Sequence, residues 1–335
     1  MSGRSAQTTS EVHAAIWQVL TDGLPAVVTS HIRLDGDGVG SALALWHAVR
    51  ARGGEAYAFF EPPMPTMFSF LSGVDQSLAD PSLLPPAYNL VVIDCGSLDR
   101  VGEAAGRLTG RVRTVNIDHH DSNACFGDLN HVDPAASSCG EMVYRLLKAG
   151  GVPLSREMAD CLFTAIVTDT GQFSHQDTTP DALRVCAECV QAGAQPHELV
   201  KRLFMLPSPA QVKLRHLALG TLRFHGEGRV ATMTVTLDMF RQTGLGPVDT
   251  EGFAEVPTSI QGVEASALLK QMPGCGYIKV SMRSRESVDV CEVAKAFGGG
   301  GHKQAAGCEI RGELESVREI IAARLQHHLR CAGGK

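Results

Sequence analysis

Four short segments of the sequence carry carboxylates and imidazoles, the oxygen and nitrogen ligands that divalent cations take from proteins. These side chains are His31, Asp35 and Asp37 in the first segment, Asp94 in the second, Asp118, His119 and His120 in the third, and Asp169 and His175 in the fourth. Taken singly, each has a simpler interpretation, because an Asp after a strand is usually a turn former or a helix cap. Taken together they favour a metal site, since burying many carboxylates close to one another is costly without a cation. Such an oxygen-rich site suits Mn²⁺ or Mg²⁺ better than a pure zinc site does.

The carboxylates outnumber the histidines in this set, which points to two metal ions joined by a bridging oxygen ligand. Two such ions clamp the oxygens of a phosphoryl group and lower the pKa of the water between them. The pattern therefore predicts the hydrolysis of phosphate esters.

The elements that must position these residues are visible as short apolar runs bounded by turn residues. They predict buried strands at 26–31, 56–60, 89–95 and 112–118, and helices at 41–53, 139–151, 156–171 and 179–193. This alternation predicts an α/β domain with a mainly parallel sheet flanked by helices. Ligands gather at the carboxyl ends of such strands. His31, Asp94 and Asp118 each stand at such an end.

The second half of the chain has a different pattern and predicts a smaller, mixed α/β domain. An HGEG turn within 221–237 predicts a β-hairpin. It is followed by strands at 264–271 and 276–285, a helix at 288–298, a Gly-rich loop and a last helix at 315–329. We therefore expect a first domain at 1–195, a helical linker at 196–220 and a second domain at 221–335.

Composition limits the classes of function. The 335 residues carry a formal net charge of −6, which argues against a protein that coats long nucleic acids, since such domains are strongly basic. Without a run of 18 apolar residues, no membrane span or membrane partner is expected. The ten scattered cysteines are typical of a reduced, cytoplasmic protein. Cys186 and Cys189 share a helical pattern without a second CxxC, so we expect buried hydrophobic side chains there and no zinc or redox pair.

The ordered motifs resemble those of the DHH phosphoesterases. The first domain has HxxxDxDxxGS, a strand-end Asp, DHH and a helix Asp, and FGGGGHKQAAG at 297–307 is similar to the signature of the DHH-associated C-terminal domain. Together the motifs span residues 25 to 310, and they look most like the group of bifunctional nanoRNases and 3′-phosphoadenosine 5′-phosphate (pAp) phosphatases.

The resemblance implies a role for each residue of the first domain, which would be the catalytic one. His31 and Asp35 would hold one metal ion, and Asp37, His119 and Asp169 the other. Asp94 would bridge both, and Asp94, His119 and His120 would be catalytic. Asp118 would orient a ligand, as carboxylates behind metal ligands do. His120 is either a weak ligand or a hydrogen-bond partner of the phosphate or leaving group, and Ser41 either caps its helix, the favoured role, or contacts a phosphate.

The second domain would hold the rest of the substrate. Its candidate binding residues are Arg283, Arg285, Gly299, Gly300, Gly301, His302 and Lys303. Glycine amides admit a phosphate closely, and two arginines on one strand face could grip a terminal phosphate by paired hydrogen bonds. The alternative is a basic strand face with solvated charges.

The expected function is then a phosphoesterase with two divalent metal ions, Mn²⁺ first and Mg²⁺ or Co²⁺ also possible. It would cut short oligoribonucleotides (nanoRNA) to 5′-mononucleotides and convert pAp to AMP, with no long nucleic acid as partner. The same motifs would also serve a phosphodiesterase for cyclic or linear dinucleotides. A pyrophosphatase or exopolyphosphatase is less favoured, as is a non-catalytic nucleotide or metal sensor. The group also implies a homodimer.

Overall fold

The computed structural model describes residues 8–205, 207–250, 252–285 and 288–332. The chain forms two compact units that divide after Met205. The segment expected as a helical linker contributes one helix to each unit, so the division falls inside it.

A five-stranded sheet forms the centre of the first unit. Its strands are β1 (Ala26–Thr29), β2 (Ala56–Ala58), β3 (Tyr88–Ile93), β4 (Arg111–Asp118) and β5 (Leu129–Val132). They lie in the order β2-β1-β3-β4-β5, and every pairing is parallel. This confirms the predicted parallel sheet. The four-residue β5 was not predicted.

Within the described residues, six α-helices flank this sheet or pack against the helices beside it. They are α1 (Thr9–Leu20), α2 (Gly36–Ala51), α3 (Cys139–Ala149), α4 (Arg156–Asp169), α5 (Pro180–Gln191) and α6 (Pro196–Phe204). The predicted start of α2 at residue 41 is wrong. The helix begins at Gly36, because the side chain of Asp35 caps it by accepting from the amide of Gly38.

The strand order explains why the polar residues converge. The chain passes from β1 to β2 on one side and then returns to β3 on the other side of β1, so the order reverses between β1 and β3. In doubly wound sheets, ligands bind outside the carboxyl ends of the strands at this switch point. The residues that follow β1 and β3 include His31 and Asp94.

The helices α2 and α4 cross at unusually close range. A Cβ atom at Gly40 would lie 2.4 Å from the backbone oxygen of Cys161, and one at Gly36 would lie 2.2 Å from Oγ1 of Thr168. Only glycine fits at either position. The close crossing brings Asp37 near the start of α2 to Asp169 at the end of α4.

The second unit contains a six-stranded sheet. Its strands are β6 (Arg223–His225), β7 (Val230–Val235), β8 (Ala265–Gln271), β9 (Tyr277–Ser284), β10 (Gly300–Gly301) and β11 (Ala305–Arg311), in the order β10-β11-β9-β8-β7-β6. Among the described strands of this sheet, only β7 and β8 pair in parallel, which confirms the mixed α/β domain and the predicted hairpin. The Gly-rich segment predicted as a loop is partly strand, because β10 turns back onto β11.

The helices of the second unit are α7 (Pro209–Leu219), α8 (Leu237–Thr243), α9 (Glu255–Thr258), α10 (Val290–Lys295) and α11 (Leu314–Ala332). Apolar side chains of α10 and α11 form one buried cluster with those of the sheet, which includes Val293, Ile321, Leu325, Val280 and Met282.

Two further predictions from the sequence concern membrane spans and the cysteines of α5. Among the described helices, none is long and apolar enough to cross a membrane. Cys186 and Cys189 are buried in α5 within the hydrophobic core, which confirms that they are core side chains.

Candidate metal centre

The first group of donors lies at the ends of β1 and β3. Nε2 of His31 is 3.4 Å from Oδ2 of Asp35 and 3.3 Å from Oδ2 of Asp94. Burial lowers the pKa of His31, but the two carboxylates outweigh it and raise the pKa to about 10. Nδ1 of the same ring is buried and has no hydrogen-bond partner among the described residues. Asp35 therefore caps α2 with one oxygen and faces His31 with the other.

A second group of donors lies beside it and shares Asp94. Nε2 of His119 is 3.9 Å from Oδ2 of Asp37, 3.8 Å from Oδ1 of Asp94 and 3.3 Å from Oδ2 of Asp169. Burial opposes the charged form of His119, but the carboxylates, led by that of Asp37, raise its pKa overall. All six candidate ligands thus lie in two adjacent groups, and Asp94 belongs to both.

Asp37 is fixed by the start of α3, about a hundred residues further along the chain. Its oxygens accept from the amides of Cys139, at 2.7 Å, and Gly140, at 2.9 Å, and from the hydroxyl of Ser41. A helix N-terminus favours negative charge. Burial and then the charge of Asp94 nevertheless raise the pKa of Asp37 to about 7. The predicted capping role of Ser41 is wrong, since Asp35 caps α2 and Ser41 lies inside the helix and holds Asp37.

Asp94 is held by imidazoles in a strained backbone conformation. Its φ of 56° lies in the left-handed region, which non-glycine residues rarely adopt. Burial alone would raise the pKa of Asp94, but the hydrogen bond from His31 and the charges of His31 and His120 hold it well below its usual range. Strain of this kind persists where the surroundings over-determine it, as at a functional site.

Asp118 orients the second histidine of the DHH motif. Its Oδ1 lies 2.7 Å from Nδ1 of His120, and its Oδ2 accepts from the amide of Asn123. Asn123 also donates to Asn116, whose own amide is anchored on backbone carbonyls. Burial lowers the pKa of His120, but the Asp118 bond and nearby carboxylates raise it overall. A chain of hydrogen bonds therefore fixes the His120 ring.

Asp169 ends α4 and is partly exposed, with 28% of its side chain accessible against 43% for Asp35. Burial of its carboxyl group and the charges of Asp37 and Asp94 raise the pKa of Asp169 well above its usual range. His175 does not join the donor groups of the described residues. Its ring is exposed, and Nδ1 lies 3.0 Å from the backbone oxygen of Asp169.

Sequence reasoning missed two residues of this site. Cys139 is fully buried, with Sγ 3.9 Å from Oδ1 of Asp94, and burial with the nearby carboxylates raises the pKa of its thiol. Asn123 closes the chain of bonds behind Asp118. The S-x-x-E pattern at Ser138 and Glu141 marks the start of α3, but no local pattern shows that its amides hold Asp37.

The donor chemistry fits divalent cations. Ligand atoms of His31, Asp35 and Asp94 lie within 4.8 Å of one another, and so do those of Asp37, Asp94, His119 and Cys139. The raised pKa values of Asp37 and Asp169 show that the histidines do not compensate every carboxylate. Closely packed, buried carboxylates of this kind are stable when cations neutralise them.

The candidate substrate residues of the second unit have structural partners. Nε and Nη2 of Arg283 both lie 2.9 Å from Oε1 of Glu255, and Nη2 of Arg285 donates to the carbonyl of Thr258. Both arginines therefore reach the same short helix, α9.

The Gly-rich segment is a tight hairpin. A Cβ atom at Gly299 would lie 2.1 Å from the backbone oxygen of Gly307, and Gly301 has a φ of 139°. The amide of His302 donates to Ala305, so residues 303 and 304 form the turn. A Cβ atom at Gly300 would meet nothing within 4 Å, and Lys303 is exposed. Packing alone thus explains two of the glycines, Gly299 and Gly301.

Known proteins are similar to this chain in sequence and in fold. The family model described as "DHH family, N-terminal domain" matches residues 25–166, and the model of the DHHA1 domain matches residues 228–327. A bifunctional oligoribonuclease and PAP phosphatase NrnA of Thermus thermophilus is 34% identical over 311 residues, which cover 92% of this chain and 91% of the relative. This chain belongs to the DHH family. It is a DHH-family phosphoesterase and hence a hydrolase.

Two further comparisons extend this result. A protein of the same name from Bacillus subtilis is 27% identical over 295 residues, covering 85% of this DHH phosphoesterase and 88% of the relative. The crystal structure of an exopolyphosphatase-related protein from Bacteroides fragilis superposes with a TM-score of 0.85 at 24% identity. It covers 95% of this chain and 97% of that protein, and it supports the fold.

Proposed function

We propose that this DHH phosphoesterase hydrolyses short oligoribonucleotides to 5′-mononucleotides and pAp to AMP, with two divalent cations, preferably Mn²⁺. The observation that carries the proposal is the position of Asp94 between two donor groups, 3.3 Å from His31 and 3.8 Å from His119. The names of the relatives from Thermus thermophilus and Bacillus subtilis support the choice of substrates.

His31 and Asp35 would hold one cation, Asp37, His119 and Asp169 would hold the other, and Asp94 would be shared. Two bound cations supply Lewis-acid polarisation of the phosphoryl group and activation of a water. The carboxylates outnumber the imidazoles among these six ligands, which favours Mn²⁺ or Mg²⁺. The amides of α3 and the imidazoles keep Asp37 and Asp94 in place before any substrate binds.

His120 would act on the substrate. The Asp118 carboxylate fixes its ring and favours the protonated imidazole, so this ring can donate a proton to the phosphate or to the leaving oxygen. The alternative is a weak metal ligand, since Asp118 on Nδ1 leaves Nε2 of His120 available, as carboxylates behind ligating histidines do.

The second unit would bind the rest of the substrate through Arg283, Arg285 and the segment from Gly299 to Lys303. A phosphate that binds Arg283 must compete with Glu255, which is an acceptor for the same guanidinium. Arg283→Ala should therefore raise the KM for pAp about tenfold or more, the value of one charged hydrogen bond, and change the hydrolysis of a small chromogenic phosphodiester far less. Equal effects on both substrates would contradict this role.

A hydrolysis panel tests the proposed function. Chelated protein reloaded with Mn²⁺ is assayed on pAp, pApA, pGpG, cyclic di-AMP and a long RNA. We expect cleavage of pAp and the linear dinucleotides and no activity on the long RNA. Faster cleavage of cyclic di-AMP than of pAp would favour the cyclic dinucleotide alternative, and nucleotide binding without any hydrolysis would favour a sensor.

A matched pair of variants ties this activity to the site. Asp94→Asn should abolish hydrolysis and lower the number of Mn²⁺ ions bound, whereas Asp99→Asn, at an exposed position of the same unit, should change neither. Near-normal activity of Asp94→Asn would refute the two-metal scheme. A homodimer, expected from the family resemblance, and a cytoplasmic location, expected from the scattered cysteines, remain predictions for light scattering and cell fractionation to test.

A further inference from the structure

The buried thiol of Cys139 is the one soft donor beside the hard ligands of the described metal centre. Its Sγ lies 3.9 Å from Oδ1 of Asp94 and 3.7 Å from the backbone oxygen of Ile117. The ligand atoms of Asp37, Asp94, His119 and Cys139 all lie within 4.8 Å of one another. We refer to these four residues as the sulfur-containing group.

The residue that carries the thiol is held firmly in this position. Cys139 is the first residue of α3, and its own amide donates to Oδ2 of Asp37 at 2.7 Å. The residue is 0% exposed, so its side chain has no alternative in solvent. The backbone therefore holds one metal ligand while the side chain offers another donor atom.

Three distances between ligand atoms of the sulfur-containing group are close to those of a compact four-ligand site. Zn–S bonds of about 2.3 Å and Zn–N or Zn–O bonds of about 2.0–2.1 Å place neighbouring ligand atoms about 3.3–3.7 Å apart in a tetrahedron. Here the distance is 3.8 Å from His119 to Asp94, 3.9 Å from His119 to Asp37 and 3.9 Å from Cys139 to Asp94. The other three pairs of ligand atoms lie within 4.8 Å, so a tetrahedral site would need them to approach by at most about 1.5 Å.

We propose that Cys139 is a sulfur ligand through which the sulfur-containing group captures thiophilic cations such as Zn²⁺, and that it thereby determines which metals support activity. Thiolate ligands select zinc, whereas carboxylates suit Mn²⁺ and Mg²⁺. Capture of Zn²⁺ forms a Zn–S bond, releases the thiol proton to solvent and transfers no electrons. Four protein ligands are typical of closed, structural zinc sites without a position for water or substrate. Zn²⁺ would therefore inhibit the enzyme.

This inference rests on the proposed metal centre, and zinc K-edge X-ray absorption tests it directly. All proteins would carry serine in place of Cys125 and Cys275, which are exposed, and of Cys331. The chelated protein receives one equivalent of Zn²⁺ alone. We expect a sulfur neighbour of zinc at about 2.3 Å. A zinc shell of nitrogen and oxygen only would overturn the proposal without any further variant.

Two variants assign the sulfur. Cys139→Ser should remove it from the zinc shell and lower the ratio of Zn²⁺ to Mn²⁺ affinity at least tenfold. Cys161→Ser, at a buried thiol of α4 outside the donor groups, should keep both the sulfur and the ratio. Persistence of the sulfur in Cys139→Ser would refute the assignment.

Mn²⁺ binding to the protein that retains Cys139 is measured by electron paramagnetic resonance. This measurement separates the proposed metal centre from the proposed role of Cys139. If the protein binds Mn²⁺ and cleaves pAp but shows no zinc–sulfur bond, only the role of Cys139 fails. If it binds neither metal, the proposed centre fails and the role of Cys139 fails with it.

Discussion

A pair of buried histidines far from the metal centre should make the stability of the first unit depend on pH. His13 of α1 and His131 of β5 are both buried, and their Nε2 atoms lie 3.1 Å apart. One ring must donate and the other accept, so the contact requires at least one neutral imidazole. Burial, the charge of His13 and that of Arg145 lower the pKa of His131 to about 4, despite an opposing effect of Asp133.

The size of the effect follows from linkage. An unfolded histidine titrates near 6.5, so between pH 6.5 and 4 the unfolded chain binds a proton that folded His131 does not. The stability is therefore fully present above pH 6.5 and is lost as the pH falls towards 4. For a pKa shift of this size, the free energy of unfolding falls by about 2 kcal/mol between pH 8 and pH 5. The lowered pKa of His13 acts in the same direction.

Urea denaturation of the chelated protein at pH 8 and pH 5 measures this loss. The double variant with His13→Leu and His131→Leu removes both titrating rings and keeps apolar volume between α1 and β5. The metal-site carboxylates titrate alike in both proteins, so their effect cancels in the difference. We expect the double variant to lose about 2 kcal/mol less than the wild type over this range.

An exposed histidine of the same unit is the control. His197→Leu should retain the pH dependence of the wild type, since 78% of its side chain is exposed. If the double variant loses as much stability as the wild type between pH 8 and pH 5, the buried pair is not the cause and the argument is wrong.

Three further substitutions probe the framework of the site. Gly40→Ala places a Cβ 2.4 Å from the backbone oxygen of Cys161 and should lower the free energy of unfolding by about 1–3 kcal/mol in urea denaturation. Asn123→Leu removes the donor that holds Asp118 and should reduce kcat for pAp about 10–100-fold with little change in KM. Asp169→Asn removes a carboxylate whose pKa is raised by its neighbours, so calorimetry should show a higher Tm without metal and a smaller increase on adding Mn²⁺.

Matched variants keep these results interpretable. Gly106→Ala adds a methyl group with nothing within 4 Å and should leave stability unchanged within about 0.5 kcal/mol. Asn130→Leu breaks a turn at Gly127, so a kcat loss equal to that of Asn123→Leu would show that the effect is not specific to His120. A lower metal-free Tm for Asp169→Asn would contradict the electrostatic argument.

The inner strands of the central sheet could be predicted from the sequence because β1 and β3 are buried on both faces. Every residue of β1 and β3 is buried, so each strand reads as a continuous apolar run whose end is visible in the sequence. The positions of His31 and Asp94 could be predicted because both residues come just after those strand ends. The division of ligands between two ions came from the family resemblance.

The start of α2 could not be predicted in the same way. Its first turns contain Gly36, Gly38 and Gly40, and glycine disfavours helices intrinsically. In the structure, a Cβ at each would lie 2.2 to 2.4 Å from an atom of α4 or of Ser30, which follows β1, so each position requires glycine within the helix. Long-range packing against α4 and β1 therefore overrides local propensity. The same limit applies to Cys139, whose place in the site depends on contacts far along the chain.

Three carboxylates of the centre, Asp37, Asp94 and Asp169, are held in different ways, and this predicts how each depends on cations. Asp37 accepts backbone amides of a helix N-terminus, which supply fixed positive charge at any pH. Asp94 lies among imidazoles, whose positive charge is lost when they deprotonate or bind metal. The described partner of the Asp169 carboxylate is Nε2 of His119, at 3.3 Å, and Asp37 and Asp94 also lie near that ring. Once a cation takes the His119 ring, that cation must replace the imidazole charge beside Asp169, so the end of α4 should be the part of the centre most dependent on bound metal.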